Sequence, residues 1–246
     1  MNFKSFALLL AIGTLGLFIY LKVQLLGDEN SVFNQTTRFQ LGKHPLARNL
    51  FSLHNDGDAR GEYLKGATPI VVEVVQANTV QMSDHAIGEF VSRVERITGR
   101  SVQTFNVDTI SSGKLTDLDL KRIITSNRRH FNAGEANLFI VYAEDFEGRS
   151  LEVGKTLNEY AIVLSHKRLT ELTQNYTPAL EQYQISTLLH EFGHQLGLVH
   201  NENPECVMNK EVESPKSASQ FSGNFTASNF CDLEIRQLEE IKNSLQ

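Results

Sequence analysis

The stretch HEFGHQLGLVH, His190–His200, holds three of the eight histidines of a 246-residue chain. Residues four apart on an α-helix share a face, one turn from each other. The spacing therefore predicts that His190 and His194 aim two imidazoles at one point. Glu191 follows the first, where a carboxylate can reach a water held at that point. This is the HExxH arrangement, two metal-binding histidines on one helical face with the glutamate as general base. Gly197 supplies a stop, because glycine takes the left-handed conformation in which helices end. Leu198 and Val199 then carry the chain round to His200. Three neutral imidazoles and a water make an open zinc site with one position left for chemistry. The bland reading is a set of exposed helix-surface histidines. A bare HExxH leaves that reading open; the two further fixed positions, Gly197 and His200, speak against it.

Downstream the chain continues NENPECVMN, Asn201–Asn209, with Met208 eight residues after His200. Zincins with a third histidine place a methionine-bearing turn beneath the metal. Here the sequence resembles the metzincin metallopeptidases, and more narrowly the archaemetzincins. That family runs from its third histidine to Cys-x-Met, positions filled by His200, Cys206, Val207 and Met208. Upstream, YAIVLSHKRL, Tyr160–Leu169, resembles the strand and Ser…Arg-Leu segment before the family's zinc helix. The resemblance spans roughly Ala136 to Leu238.

The resemblance implies an α/β (α+β) metzincin-like fold. Its sheet is mixed, mainly parallel and twisted, with an antiparallel edge strand. A zinc-bearing helix follows, then a small C-terminal subdomain with the methionine turn and a terminal helix. Met208 is implied to lie beneath the metal as an apolar floor; ordinary core packing is the alternative. Peptide substrates are implied to bind extended along an edge strand, assigned to Tyr160, Ala161, Ile162, Val163 and Leu164. Part of the pocket beyond the cleaved bond falls to residues 209–229.

The chain also departs from the family. Archaemetzincins carry four cysteines that bind a second, structural zinc. This chain has two, Cys206 and Cys231, with Asn201 and Glu234 at the other two positions. Two thiolates cannot close a tetrahedral site, so one zinc ion per chain is expected. In the relatives a metal ties these two segments together, which favours a Cys206–Cys231 disulfide here if the compartment is oxidising. Two buried free thiols are the alternative.

The N-terminus speaks to compartment. MNFKSFALLLAIGTLGLFIYLK, Met1–Lys22, is uncharged from Ser5 to Leu21. That is long for a signal-peptide core and a little short of the about 20 residues of a spanning helix. The absence of a small-x-small cleavage site favours an uncleaved signal-anchor over a cleaved signal peptide. The expected localisation is membrane-anchored with the catalytic domain outside the cytoplasm, or secreted if the segment is removed. Residues 1–27 form this segment, 28–68 a linker and 69–246 the catalytic domain. The linker includes HNDGDARGE, 54–62, read as a turn. Three N-x-S/T matches, at Asn34, Asn175 and Asn224, carry little weight. A net charge of −6 gives no basic footprint for nucleic acid. No motif speaks to oligomeric state.

Periodicity supplies the rest of the fold. IVVEVVQ (70–76), VQTFNV (102–107), ANLFIVYA (136–143) and YAIVLS (160–165) read as strands. Helices fall between them, one ending at Gly99 and one opened by a Thr116–Asp119 capping box. A long helix over about 178–196 carries the histidines, and a last one covers 232–245. His166, after the fourth strand, reads as a surface residue. The function that follows is zinc-dependent hydrolysis of peptide bonds. The alternative is a catalytically idle, zinc-bearing peptide-binding module; the intact Glu191 argues against it, since such a module needs no base.

Overall fold

The structure, a computed structural model, describes residues 3–25, 37, 41, 45–51, 53, 56–130, 135–148, 151–213 and 226–245. The chain divides into two compact units, Met1–His54 and Asn55–Gln246.

In the first unit, helix α1 (Phe3–Leu25) and helix α2 (Pro45–Phe51) are the main elements. Phe18 and Phe51 place their ring centroids 5.3 Å apart, and Leu21, Leu25 and Leu53 complete a small cluster. Ile12, Leu15, Leu17, Ile19 and Val23 are exposed. Among the described residues no helix is long and apolar enough to cross a membrane. Side chains up to residue 11, on which much of the signal-anchor expectation rests, lie outside the described residues, as do 26–27 of that segment, 28–36 of the expected linker, and Asn224.

The second unit begins earlier than expected. Helix α3 (Arg60–Lys65) buries Tyr63 and Leu64, both in the main core. The Tyr63 hydroxyl donates to Asn137 O at 2.6 Å. Arg100 donates to the carbonyls of Glu62, Tyr63 and Thr68. Residues 56–68 are therefore part of the domain, not linker. A six-residue helix with no side-chain cap is too short to show a helical period in sequence.

The sheet follows the predicted alternation. Strand β1 (Ile70–Gln76), helix α4 (Asp84–Thr98), strand β2 (Val102–Asn106), strand β3 (Lys114–Leu115) and helix α5 (Asp117–Asn127) come first. Strands β4 (Asn137–Ala143), β5 (Asp145–Phe146), β6 (Gly154–Asn158) and β7 (Ala161–Ser165) follow. Five of the strands form one sheet in the order β2-β1-β4-β7-β6, while β3 and β5 pair separately. β1, β2, β4 and β7 are parallel; β6 is antiparallel to β7. Val72, Val74, Ile140 and Ile162 join the core that includes residues of α4 and of the histidine-bearing helix over Thr177–Gln195. Val75, Phe139, Val141 and Val163 point the other way, onto Leu120 and Ile124 of α5. Burial on both faces is why β1 and β4 read as largely apolar runs, interrupted in β1 by the buried Glu73. The Thr116–Asp119 capping box is present as expected.

One expectation is overturned. Tyr160–Leu164 is not the edge. β7 pairs with β4 on one side and β6 on the other, so its backbone is already committed. The antiparallel edge is Gly154–Asn158, one strand earlier in the chain. Its sequence, GKTLN, starts with glycine and is only partly buried, so it lacks the β-branched run that marks an inner strand.

Helix α6 (His166–Thr173), helix α7 (Thr177–Gln195), helix α8 (Lys210–Glu213) and helix α9 (Asp232–Ser244) complete the unit.

Candidate metal centre

α7 opens with Pro178 in its first turn, where the missing N–H is not needed. It ends one residue before Leu196. Gly197 has φ +87°, Leu198 N donates to Gly193 O and Gly197 N to His194 O, each at 2.9 Å. This is the Schellman pattern of helix ends, which requires a left-handed residue at the turn. A second left-handed glycine backs it: a Cβ on Gly57 (φ +74°) would come within 3.2 Å of both Gly197 Cα and His194 O. The segment expected to be linker thus lies directly behind the zinc-helix terminus. The turn sends Leu198–His200 back across the end of α7.

The three histidines meet. His190 Nε2 and His194 Nε2 lie 3.0 and 3.2 Å from His200 Nε2. On the other side of each ring, His190 Nδ1 is 2.7 Å from Val207 O and His194 Nδ1 is 3.1 Å from Leu198 O. A carbonyl only accepts, so each Nδ1 carries the hydrogen and each Nε2 presents a bare lone pair. Bare lone pairs brought together need a cation between them. Ligands about 2.0–2.1 Å from a tetrahedral zinc stand about 3.3 Å apart, close to the spacing here. The donor set fits zinc.

Glu191, only 2% exposed, faces β6. Its Oε2 accepts from Thr156 Oγ1 at 2.8 Å. Gly154 lets the strand approach this closely: a Cβ there would strike Thr187 Cγ2 and stand 3.3 Å from Glu191 Oε1. Gln195 Nε2 adds a bond to Asn158 O at 2.6 Å. The edge strand is therefore fastened along the zinc helix. No sequence pattern singled out Thr156 or Gly154, because their role depends on which strand lands beside α7.

Met208 is fully buried and its sulphur fills the space where a Gly193 side chain would begin. The glycine within the histidine motif is thus the slot for the methionine, on the same helical turn as His190 and His194. Met208 N donates to Glu234 Oε1 at 2.7 Å. Val207 N and Cys231 N donate to Glu234 Oε2 at 3.3 and 3.0 Å. Cys206 and Cys231 form a disulfide, with Cα atoms 4.9 Å apart, and no cysteine is free. The cluster Cys206, Cys231 and Glu234 is compact enough to suggest a second metal. Its sulphurs, however, are bonded to each other, and its carboxylate already accepts from backbone N–H groups. It does not fit a structural zinc.

The other expected residues lie elsewhere. His166 is half-buried rather than a surface group: its Nδ1 is 2.8 Å from the Tyr142 hydroxyl, and burial lowers its pKa. It does not belong to the convergent histidine group. Of the pocket wall expected over 209–229, residues 214–225 lie outside the described residues; Thr226 and Ala227 accept from Gln182 and Ser186 of α7.

No protein-family model matches the chain, and no curated protein matches it. Solved structures do. An archaemetzincin from Methanopyrus kandleri superposes with a TM-score of 0.53 at 16% identity, over 73% of this chain and 98% of that one. An archaemetzincin from Archaeoglobus fulgidus, complexed with malonate, gives 0.45 at 14% identity, over 69% and 99%. A zinc-dependent peptidase from Methanocorpusculum labreanum gives 0.46 at 15% identity, over 68% and 99%. The fold is archaemetzincin-like.

Proposed function

We propose that this chain, with its archaemetzincin-like fold, is a zinc-dependent peptidase that acts on extended peptide segments. The observation that carries the reading is the meeting of three imidazole Nε2 atoms beside the buried carboxylate of Glu191 at a sheet edge.

His190, His194 and His200 would hold the metal, two of them oriented by the carbonyls of Val207 and Leu198. When bound, zinc supplies Lewis acidity: it brings the pKa of a coordinated water towards neutrality and polarises a carbonyl. Glu191 would accept the proton of the attacking water and return it to the leaving amine. Met208 keeps the floor of the site dry and fixes the turn. The outer edge of β6 would receive the substrate as an added strand, main chain to main chain. Residues 154–158 take over the part expected of Tyr160–Leu164.

We also propose that the compact unit works outside the cytoplasm, held by its N-terminal segment or released from it. The disulfide favours an oxidising compartment, and the apolar residues exposed on α1 favour a membrane anchor. A reporter fused at the C-terminus would test the topology; a cytoplasmic reporter would overturn it.

The deciding experiment is hydrolysis of unfolded casein by the full chain. Zinc-loaded protein should cleave it, a chelator should abolish cleavage and added zinc should restore it. Glu191→Gln should keep the metal and lose about 100-fold or more in turnover, as loss of a general base does. His200→Ala should lose metal affinity instead. Zinc-loaded wild-type protein that binds casein and leaves it intact would establish the idle binding module.

A further inference from the structure

We infer that Thr156 is a positioning residue for Glu191, setting the general base from the strand that receives the substrate; the inference rests on the peptidase reading above. The geometry carries it. Thr156 Oγ1 donates to Glu191 Oε2 at 2.8 Å and also lies 3.4 Å from Glu191 O. Thr156 stands opposite Ile162 in the β6–β7 pair, and Ile162 belongs to the core that includes residues of α7. Its side chain therefore projects towards the zinc helix, while its backbone belongs to the edge. The neighbouring bond from Gln195 to Asn158 O, and the close approach to Thr187 that Gly154 permits, hold the strand so that the hydroxyl meets the carboxylate.

A glutamate side chain has several rotatable bonds, and fixing it costs conformational entropy at the moment of reaction. A charge-assisted bond to one carboxylate oxygen meets that cost in advance. It also fixes the base relative to the backbone groups that would align the scissile bond. A substrate paired with β6 and the carboxylate beside it thus share one frame of reference. The hydroxyl touches no reacting atom; it acts through Glu191.

The test uses two substitutions that separate hydroxyl from shape. Thr156→Val keeps the branched outline and loses the donor; Thr156→Ser keeps the donor and loses a methyl group. In the zinc-loaded full chain, Thr156→Val should lower kcat about tenfold, the worth of one hydrogen bond to a charged group. Zinc content should be unchanged and KM should move by less than about twofold, because the bond acts on the base and not on ground-state pairing. Thr156→Ser should recover most of the loss. If packing were the role, Val would be mild and Ser severe.

A second measurement does not depend on turnover. A peptide hydroxamate needs a carboxylate acceptor beside the metal, so its affinity reports where Glu191 is held. Thr156→Val should weaken it about tenfold in the wild type and not further in the Glu191→Gln background, since the two residues act as one unit. A Ser variant as impaired as Val, or an undiminished Val effect in the Glu191→Gln background, overturns the assignment. Should the wild type hydrolyse no peptide while the hydroxamate cycle shows the coupling, the peptidase reading fails and the placement of Glu191 by Thr156 stands.

Discussion

Asn201 Nδ2 donates to Glu234 Oε1 across 2.9 Å, joining the two positions at which this chain lacks the cysteines of its resemblance. The other two positions are joined by the disulfide. Segments that a metal could tie are tied by one covalent bond and one buried carboxylate. The protein, saturated with zinc and then desalted, should therefore retain one zinc ion per chain. Two ions by atomic absorption would show that this clasp is a metal site after all.

Glu234→Gln should destabilise the unit by about 3 kcal/mol, because an amide turns donors towards backbone N–H groups that need an acceptor. Asn201→Ala should cost less, about 1 kcal/mol, since it removes one donor to a carboxylate that keeps three backbone partners. Urea titration of both variants checks the order. Equal and small effects would mean the carboxylate is incidental to the turn.

Reducing Cys206–Cys231 should lower stability by about 3.5 kcal/mol on the chain-entropy model, for a sequence separation of 25 residues. In a unit of this size that is roughly 5–15 °C in melting temperature. Zinc retention should weaken in parallel, because Val207 O, which orients His190, is next to the reduced cysteine. Melting curves and metal content with and without reductant give the answer. Unchanged metal affinity after full reduction would uncouple the clasp from the site.

Gly193→Ala should displace Met208, since the new methyl group would occupy the position of its sulphur. Overpacking of this kind costs about 1–3 kcal/mol, and here it also strains the turn carrying Val207. Adding Met208→Ala should recover part of the loss. If the single variant melts like wild type with full zinc affinity, the glycine is not the slot it resembles.

Alkaline pH should weaken the fold through Tyr142. Its hydroxyl accepts from Gln184 Nε2 at 2.7 Å, and burial pushes its pKa up to about 12. An unfolded tyrosine ionises near pH 10. The buried neutral form thus contributes fully below about pH 10, and its contribution falls away between about 10 and 12, by about 3 kcal/mol in total. Urea midpoints at pH 9 and 11.5 should converge in Tyr142→Phe, apart from the loss of its hydrogen bond. An unchanged slope in that variant would place the alkaline sensitivity elsewhere.

What could be read from sequence was local. His190 and His194 are one helical turn apart by spacing alone, and Gly197 must end that turn for His200 to return. β1 and β4 announce themselves because both faces are buried. What was missed depends on the company a segment keeps. Gly154–Asn158 has no strong pattern and becomes the edge because β7 has taken the inner place. Arg60–Lys65 is a short helix made stable by Arg100 and Asn137, far away in the chain. His166 is half-buried against Tyr142, a polar-tipped residue near the end of an otherwise apolar strand. Asn201 and Glu234 were legible as departures, but their bond to each other was not, since nothing local requires an amide to face a carboxylate.

The register of β6 against β7 slips between Thr156 and Asn158. Exposed sheet margins invite self-association, and natural proteins blunt them with bulges and lysines. This margin has both: the slip, and Lys155, whose ammonium reaches Asp117 at 2.6 Å. A second molecule laid margin to margin would find matched backbone over Gly154–Thr156 and then lose phase. Three matched residues are enough to pair with a short peptide and too few to template a long strand, so the slip limits the length of backbone that this margin offers.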